Sequence, residues 1–396
     1  MDSGLPIAYD FQAPQRIVFG WGRRRQVGAL AKTLGCRALL VCGAPALAET
    51  GVLAEITAAA GAEGVEIVPL ETILHEPLVD DVDRLSARVR RLGVRPGDFV
   101  LAVGGGAAID LGKALAAMAA NHQSPTIKDY LENVGRDLKL VENPLPVLAM
   151  PTTAGTGAEA TRNAVISSYD PPFKKSLRSE KIMPRIALID PELTVSVPPA
   201  VTAASGMDAI TQLIESFISR KAQPIPRALC REGLRQAVPA IVEAVERPDS
   251  QPAREKMAHA ALLSGMALAN SGLGMAHGVA GALGVHCRIA HGVACALMLP
   301  VALRVNRPAC EADLARIAHL VVGKEASTTP GGPVDALIHR IQTICDRIGI
   351  PRRLSQLGVT REQIPAIVRS SRGSSMSGNP RELSDAELTE ILEGIL

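Results

Sequence analysis

The sequence predicts an α/β half followed by an all-helical half. Three observations lead there. Short apolar runs alternate with helical patterns through the first 190 or so residues, strand signals nearly vanish after Pro198-Pro199, and helical spacing dominates from that point on. The runs are Ala38 to Cys42, Val65 to Leu70, Phe99 to Val103, Pro146 to Met150 and Ile186 to Ile189. They lack strict alternation, as strands buried on both faces of a parallel sheet do. Between them, Val79 to Leu92 sets Val79, Val82, Leu85, Val89 and Leu92 at helical spacing. Such alternation implies right-handed crossovers and a doubly wound, mostly parallel, Rossmann-like sheet.

In the second half, Ala209 to Ser219 and Ala258 to Asn270 carry helical patterns. Pro224, Pro226, Pro239 and Pro248 read as helix starts or stops. Ser264 to Gly284 is rich in Gly and Ala, which lets helices, or a backbone and a ligand, approach closely. The expected domains are 1–195 and 196–396, with Lys324 to Pro333 as an internal loop.

Composition narrows the function. The 396 residues are 47% apolar and 21% charged, an ordinary globular balance. A net charge of +2 gives no support for a nucleic-acid partner. Arg23, Arg24 and Arg25 read as a solvated loop or helix start. Aromatic content of 2% predicts aliphatic pockets and no stacking platform for bases. The seven cysteines are scattered, with no C-x-x-C pair, which reads as reduced thiols. The N-terminus carries Asp2 and Asp10 and no apolar signal region, and Val293 to Val305 contains Pro300 and is too short to span a bilayer. The expectation is a soluble, cytoplasmic protein that does not enter a membrane.

Phe99 to Val103 runs into Gly104-Gly105-Gly106 and then into a helical pattern from Ala107 to Ala116. A strand, a glycine turn and a helix N-terminus together make a phosphate site, because the turn admits close approach and the helix end presents unpaired N–H groups. A bare triple glycine would be only a tight turn; the flanking elements favour the ligand. Gly20-Trp21-Gly22 lacks such flanks and reads as a turn. A second loop, Pro151 to Gly157, carries Thr152, Thr153 and Thr156 beyond the next strand. Its alternative is a Thr-rich turn capping its own backbone. Two such loops at the carboxyl ends of neighbouring strands favour a nucleotide.

Gly104 to Lys113 (GGGAAIDLGK) and Pro151 to Glu159 (PTTAGTGAE) resemble the two signature stretches of the iron-containing alcohol dehydrogenases. Ala107 and Ala158 stand where that family usually has Ser. The resemblance continues through Asp190 to Thr194, Gly206 to Ala209, Gly274 to Gly278, His291 to Val293 and Gly378 to Pro380. It implies a dehydroquinate synthase-like architecture binding NAD or NADP. It places Gly105, Gly106, Ala107 and Asp110 along the pyrophosphate and nicotinamide ribose, and Thr152, Thr153 and Thr156 on the adenosine side. Lys174 matches a family lysine near the cofactor, with Lys175 as its competitor.

The same resemblance implies a divalent metal, Fe²⁺ before Zn²⁺, held by Asp208, Gln212, His277 and His291. The catalytic pair is then His277 and His291. Three departures stand out. Gln212 replaces a family His one helical turn after Asp208, so that its amide oxygen completes the set, a water fills the gap, or the site stays empty. Gly281 replaces a family His that relays protons, leaving that task to His286 or water, or to His277 and His291 themselves where no metal is bound. Gly43 replaces the Asp of NAD-preferring members, which removes repulsion toward a 2′-phosphate, while Ala44-Pro45-Ala46 offers no cation to grip one. From residues alone, His277 and His291 are not separable from the packed-histidine reading that fits His259 and His286, and Asp208 also reads as a helix cap.

The expected function is hydride transfer between a nicotinamide and a small alcohol, aldehyde or ketone. The rivals are a metal-independent enzyme resembling maleylacetate reductases, a lyase or cyclase resembling dehydroquinate synthases, and a nucleotide-binding protein without catalysis. Arg16 to Gly20 is the candidate N-terminal strand of a homodimer, by analogy.

Overall fold

The central strands are apolar on both sides because helices cover both faces of the sheet. The computed structural model describes residues 8–43 and 45–396; Asp2 and Ala44 lie outside the described residues. The order is β1 (Arg16–Phe19), α1 (Val27–Lys32), β2 (Arg37–Cys42), α2 (Pro45–Glu49), α3 (Val52–Ala62), β3 (Glu66–Thr72), α4 (Val79–Leu92), β4 (Asp98–Gly104), α5 (Gly106–Ala120), β5 (Val147–Pro151), β6 (Asn163–Tyr169), β7 (Pro172–Arg178) and β8 (Ile186–Ile189). The six-stranded sheet runs β1-β8-β5-β4-β2-β3 and is parallel throughout. Every residue of β2, β4, β5 and β8 is buried, whereas the edge strands β1 and β3 are partly exposed.

Alternate residues feed two cores. Leu39, Val41, Val100 and Ala102 pack with α4 and α5, while Ala38, Leu40, Phe99 and Leu101 pack with α1 and α3. The chain leaves β2 for β3 on one side, then returns to place β4 on the other. The strand order therefore reverses between β2 and β4, and their carboxyl ends frame the crevice where such sheets bind ligands. Those ends are Gly43 and Gly104. Pro69 sits in edge strand β3 at the register shift opposite Leu40, where its missing N–H is tolerated.

The helical half contains α6 (Pro199–Ile218), α7 (Pro224–Glu246), α8 (Gln251–Ala269), α9 (Met275–Cys287), α10 (His291–Val321), α11 (Pro333–Arg347), α12 (Ile364–Ser370) and α13 (Asp385–Gly394). The chain forms two compact units: Gln12–Thr153 with Gly157–Ser196, and Val197–Leu396 with the short loop piece Ala154–Thr156 and the described N-terminal residues up to Phe11.

Several expectations change. The antiparallel hairpin β6–β7 has no apolar run to announce it, since Lys174, Lys175 and Ser176 fill much of β7. Pro239 lies within α7 rather than ending a helix. Leu92 is 42% exposed although its spacing matches the buried face of α4. Arg24 is buried and paired with Asp190, Glu192 and Glu55, so it is a brace and not a solvated residue. Gly323–Ser327 forms a 3₁₀ turn at the start of the expected loop.

Val293 to Val305 belongs to α10, the one helix among the described residues long and apolar enough to cross a membrane. Its most apolar window is 56% buried inside the protein. Ala294, Cys295, Leu299 and Leu303 serve the helical cores, and the helix kinks at Cys310.

Candidate active site

Asp208 lies in the middle of α6, so it caps no helix. Gln212 and Glu215 follow one and two turns later on the same face. His277 sits in the first turn of α9, and His291 opens α10. Two glycines let these helices converge. A Cβ on Gly292 would stand 2.3 Å from the Ala204 carbonyl oxygen, so only glycine lets the first turn of α10 lie on α6. A Cβ on Gly274 would stand 2.8 Å from Glu215 Oε1, so this glycine admits the carboxylate to the N-terminus of α9.

There Glu215 accepts hydrogen bonds from the Ala276 amide at 2.7 Å and from His277 Nδ1 at 2.6 Å. With Nδ1 so engaged, His277 Nε2 faces Asp208 Oδ1 at 3.1 Å. His291 Nε2 lies 3.9 Å from the same oxygen. Cys295, one turn beyond His291, brings its Sγ to 3.7 Å from His291 Nε2. One donor atom from each of Asp208, His277, His291 and Cys295 lies within 4.8 Å of all the others.

These donors suit a divalent transition metal. Bonds of about 2.0–2.3 Å place donors roughly 3.3–3.8 Å apart around a tetrahedral ion, so modest inward movement closes the set. One carboxylate, two imidazoles and a thiol are the ligand types such ions take.

Electrostatics prepare the site. Burial opposes ionisation of Asp208, but the His277 hydrogen bond and the charge of His291 outweigh it and hold the carboxyl below its usual range. Burial also opposes charge on His277. The Cys295 sulfur and the hydrogen bonds with Asp208 and Glu215 override it, leaving this imidazole well above its ordinary value. Burial pushes the Cys295 thiol up to about 12.

Of the expected metal residues, the structure thus gathers Asp208, His277 and His291. The Gln212 amide nitrogen donates to the Thr156 carbonyl at 3.0 Å and to Ser264 Oγ at 2.8 Å, bonds that leave out Oε1, the atom expected to reach a metal. Cys295 and Glu215 escaped the sequence reading. The signals were there: His291 and Cys295 at i and i+4, and Glu215 seven residues after Asp208, each pair on one helix face. A Cβ on Gly281 would meet nothing within 4 Å, and His286 Nε2 pairs with Ser370 Oγ at 2.7 Å.

The expected cofactor residues fall into two groups. Gly105 caps α5 without a side-chain partner, so Gly105, Gly106 and Ala107 present backbone at a 15-residue helix's N-terminus. Gly104 has φ of +154°, and a Cβ there would stand 2.8 Å from the Gly43 amide nitrogen. Glycine alone fits. Thr152 is buried, and its amide donates to the Gly104 carbonyl at 2.9 Å. Thr153 flanks Gly105, 3.4 Å from where its Cβ would be.

The other group is engaged within the protein. Asp110 pairs with Lys113 Nζ at 2.8 Å and accepts from the Val165 amide at 3.1 Å. Lys174 pairs with Glu76 at 2.5 Å. The backbone carbonyl of Thr156, not its side chain, accepts the Gln212 bond in the helical unit. Lys113, fully buried, also donates to the Ala158 carbonyl at 2.9 Å and Thr161 Oγ1 at 3.0 Å, tying the two glycine-bearing motifs together.

Known proteins share this plan. A family described as iron-containing alcohol dehydrogenase matches residues 14–191, and the C-terminal part of the Fe-containing alcohol dehydrogenase family matches residues 202–396. The chain is 32% identical over 388 residues to the 1,3-propanediol dehydrogenase of Citrobacter freundii, covering 97% of each protein. It is 30% identical to long-chain-alcohol dehydrogenase 1 of Geobacillus thermodenitrificans, covering 96% of each. Among solved structures, sulfoacetaldehyde reductase from Bifidobacterium kashiwanohense in complex with NAD⁺ superposes with a TM-score of 0.86 at 30% identity, over 98% of this chain and 99% of that one. Two matching family regions that together span nearly the whole sequence, and relatives aligned from end to end, place the chain in the iron-containing alcohol dehydrogenase family.

Proposed function

We propose that this chain transfers a hydride between NAD(P) and a small alcohol, aldehyde or ketone, at a metal site that includes Asp208, His277 and His291. The observation that carries this reading is the convergence of those three side chains, drawn from three helices, on facing donor atoms. A divalent ion held there supplies Lewis-acid polarisation of a substrate oxygen. The nicotinamide supplies or accepts the hydride.

The chain's own residues do the rest. Glu215 fixes the His277 tautomer so that Nε2 faces Asp208. Gly105, Gly106 and Ala107 offer the pyrophosphate a helix N-terminus, Thr152, Thr153 and Thr156 contact the adenosine side, and Gly43 puts no carboxylate against a 2′-phosphate. Asp110, paired with Lys113, and Lys174, paired with Glu76, complete the cofactor surface.

In the same reading the protein is a cytoplasmic homodimer. Its seven free cysteines suit a reducing compartment. Edge strand β1, with Ile17 36% exposed, offers a row of backbone groups to a second copy.

The test is oxidation of NADH and NADPH with a panel of short aldehydes and ketones, before and after chelation and after return of Fe²⁺ or Zn²⁺. Turnover lost on chelation and restored by metal is the expected result. Turnover that survives complete metal removal points to the chemistry of maleylacetate reductases, and no turnover at all rejects the proposal.

A further inference from the structure

The site holds one donor more than its carboxylate and two imidazoles. Cys295 is fully buried, and a merely packed cysteine would turn its sulfur toward carbon. This sulfur instead lies 3.7 Å from His291 Nε2 and within 4.8 Å of a ligand atom of both Asp208 and His277. His291 and Cys295 stand one turn apart at the start of α10, a spacing that lets both side chains reach one point. Gln212, the other candidate for the fourth place, has its amide nitrogen held by the Thr156 carbonyl and Ser264 Oγ, and its oxygen is a neutral donor weaker than a thiolate toward Zn²⁺.

We propose that Cys295 Sγ is the fourth protein ligand, giving an Asp–His–His–Cys set whose sulfur favours Zn²⁺ over Fe²⁺. The inference rests on the metal-assisted reading above. Coordination replaces the S–H bond with a metal–sulfur bond and releases one proton to solvent. The softer sulfur donor suits Zn²⁺ and Co²⁺ better than the all-nitrogen and oxygen set that a third imidazole would complete. Gln212 then acts as a positioning residue, clamping the Gly155–Thr156 backbone onto α6 and α8.

The test uses the metal-free full-length protein reloaded with one equivalent of Co²⁺, and separately with Zn²⁺ and Fe²⁺ in competition. The wild type is expected to show a sulfur-to-cobalt charge-transfer band in the near ultraviolet. Cys295→Ser should abolish it, while Cys36→Ser and Gln212→Ala leave it in place. Zinc affinity should fall at least about tenfold in Cys295→Ser, since even the loss of an outer partner to a ligand costs that much. The zinc-to-iron ratio in the competition should fall with it. If Cys295→Ser does not fold, the wild-type band and its persistence in Cys36→Ser still decide the matter. Cobalt bound without the band, in an enzyme that chelation still inactivates, overturns Cys295 ligation alone. No cobalt uptake by the wild type overturns the metal site as well.

Discussion

Glu215 Oε2 and His277 Nδ1 are 2.6 Å apart, both buried, and on different helices. The carboxylate also accepts the Ala276 amide, so one side chain closes the first turn of α9 and orients the imidazole. Glu215→Gln keeps the shape but removes the charge and one acceptor. Metal affinity is expected to fall roughly 10–100-fold, the usual cost of losing a partner to a ligating histidine. Competition with a metal-sensitive chelator reads it. Unchanged affinity means that the pair only packs. Glu215→Ala should add a stability loss of about 1–3 kcal/mol by leaving the Ala276 amide unpaired.

Which features could be read in advance follows from which carried a local signal. β2, β4, β5 and β8 announce themselves because burial on both faces makes each a continuous apolar run. The hairpin β6–β7 forms a separate two-stranded sheet in which Ala164, Ile166 and Leu177 are buried while Lys174, Lys175 and Ser176 break up β7, so no continuous apolar run marks both strands. Asp208, His277 and His291 came from resemblance, since nothing local separates His277 from a packed histidine. Glu215 acquires its role only when Gly274 brings the start of α9 against α6, an event written in no single segment. Cys295 is one of seven scattered thiols in the sequence, and only its position one helical turn after His291 sets it apart.

Burial raises the Glu159 carboxyl from 4.5 to about 7, with Lys113 opposing the rise. Between those values the unfolded chain releases a proton that the folded chain keeps. Stability is therefore full below about pH 4.5, falls as pH rises, and levels off above about pH 7. The whole effect is at most about 3 kcal/mol. Glu159→Gln should remove this component. Denaturant midpoints measured at pH 5 and pH 8 should drop more for the wild type than for the variant, and equal drops would reject the assignment.

Asn379 uses its full hydrogen-bonding capacity. Its oxygen accepts from the Met275 amide at 3.1 Å and Asn306 Nδ2 at 2.9 Å, and its nitrogen donates to Asn306 Oδ1 and the Arg381 carbonyl, each at 2.7 Å. Asn379→Asp preserves the acceptor but sets oxygen against two oxygens. A loss of about 1–3 kcal/mol in unfolding free energy is expected. Because Asn379 holds the residue that opens α9, metal affinity should weaken together with stability. A stable variant with unaltered metal binding would show that the Asn306–Asn379 pair does not support the site.

Gly43 closes the carboxyl end of β2, and a Cβ there would lie 2.6 Å from Ala108 Cβ in the first turn of α5. Gly43→Asp alone must therefore push α5 away and should weaken both dinucleotides. Pairing it with Ala108→Gly removes the clash, at about 1 kcal/mol for glycine inside a helix. The carboxylate can then accept ribose hydroxyls and repel a 2′-phosphate. In the double variant, kcat/KM for NADPH should fall at least about tenfold relative to NADH, a change that needs only about 1.4 kcal/mol. Initial rates with both cofactors on one aldehyde measure the ratio. If the ratio does not move while the protein stays folded, residue 43 does not face the adenosine ribose, and its glycine serves only the packing of β2 against α5.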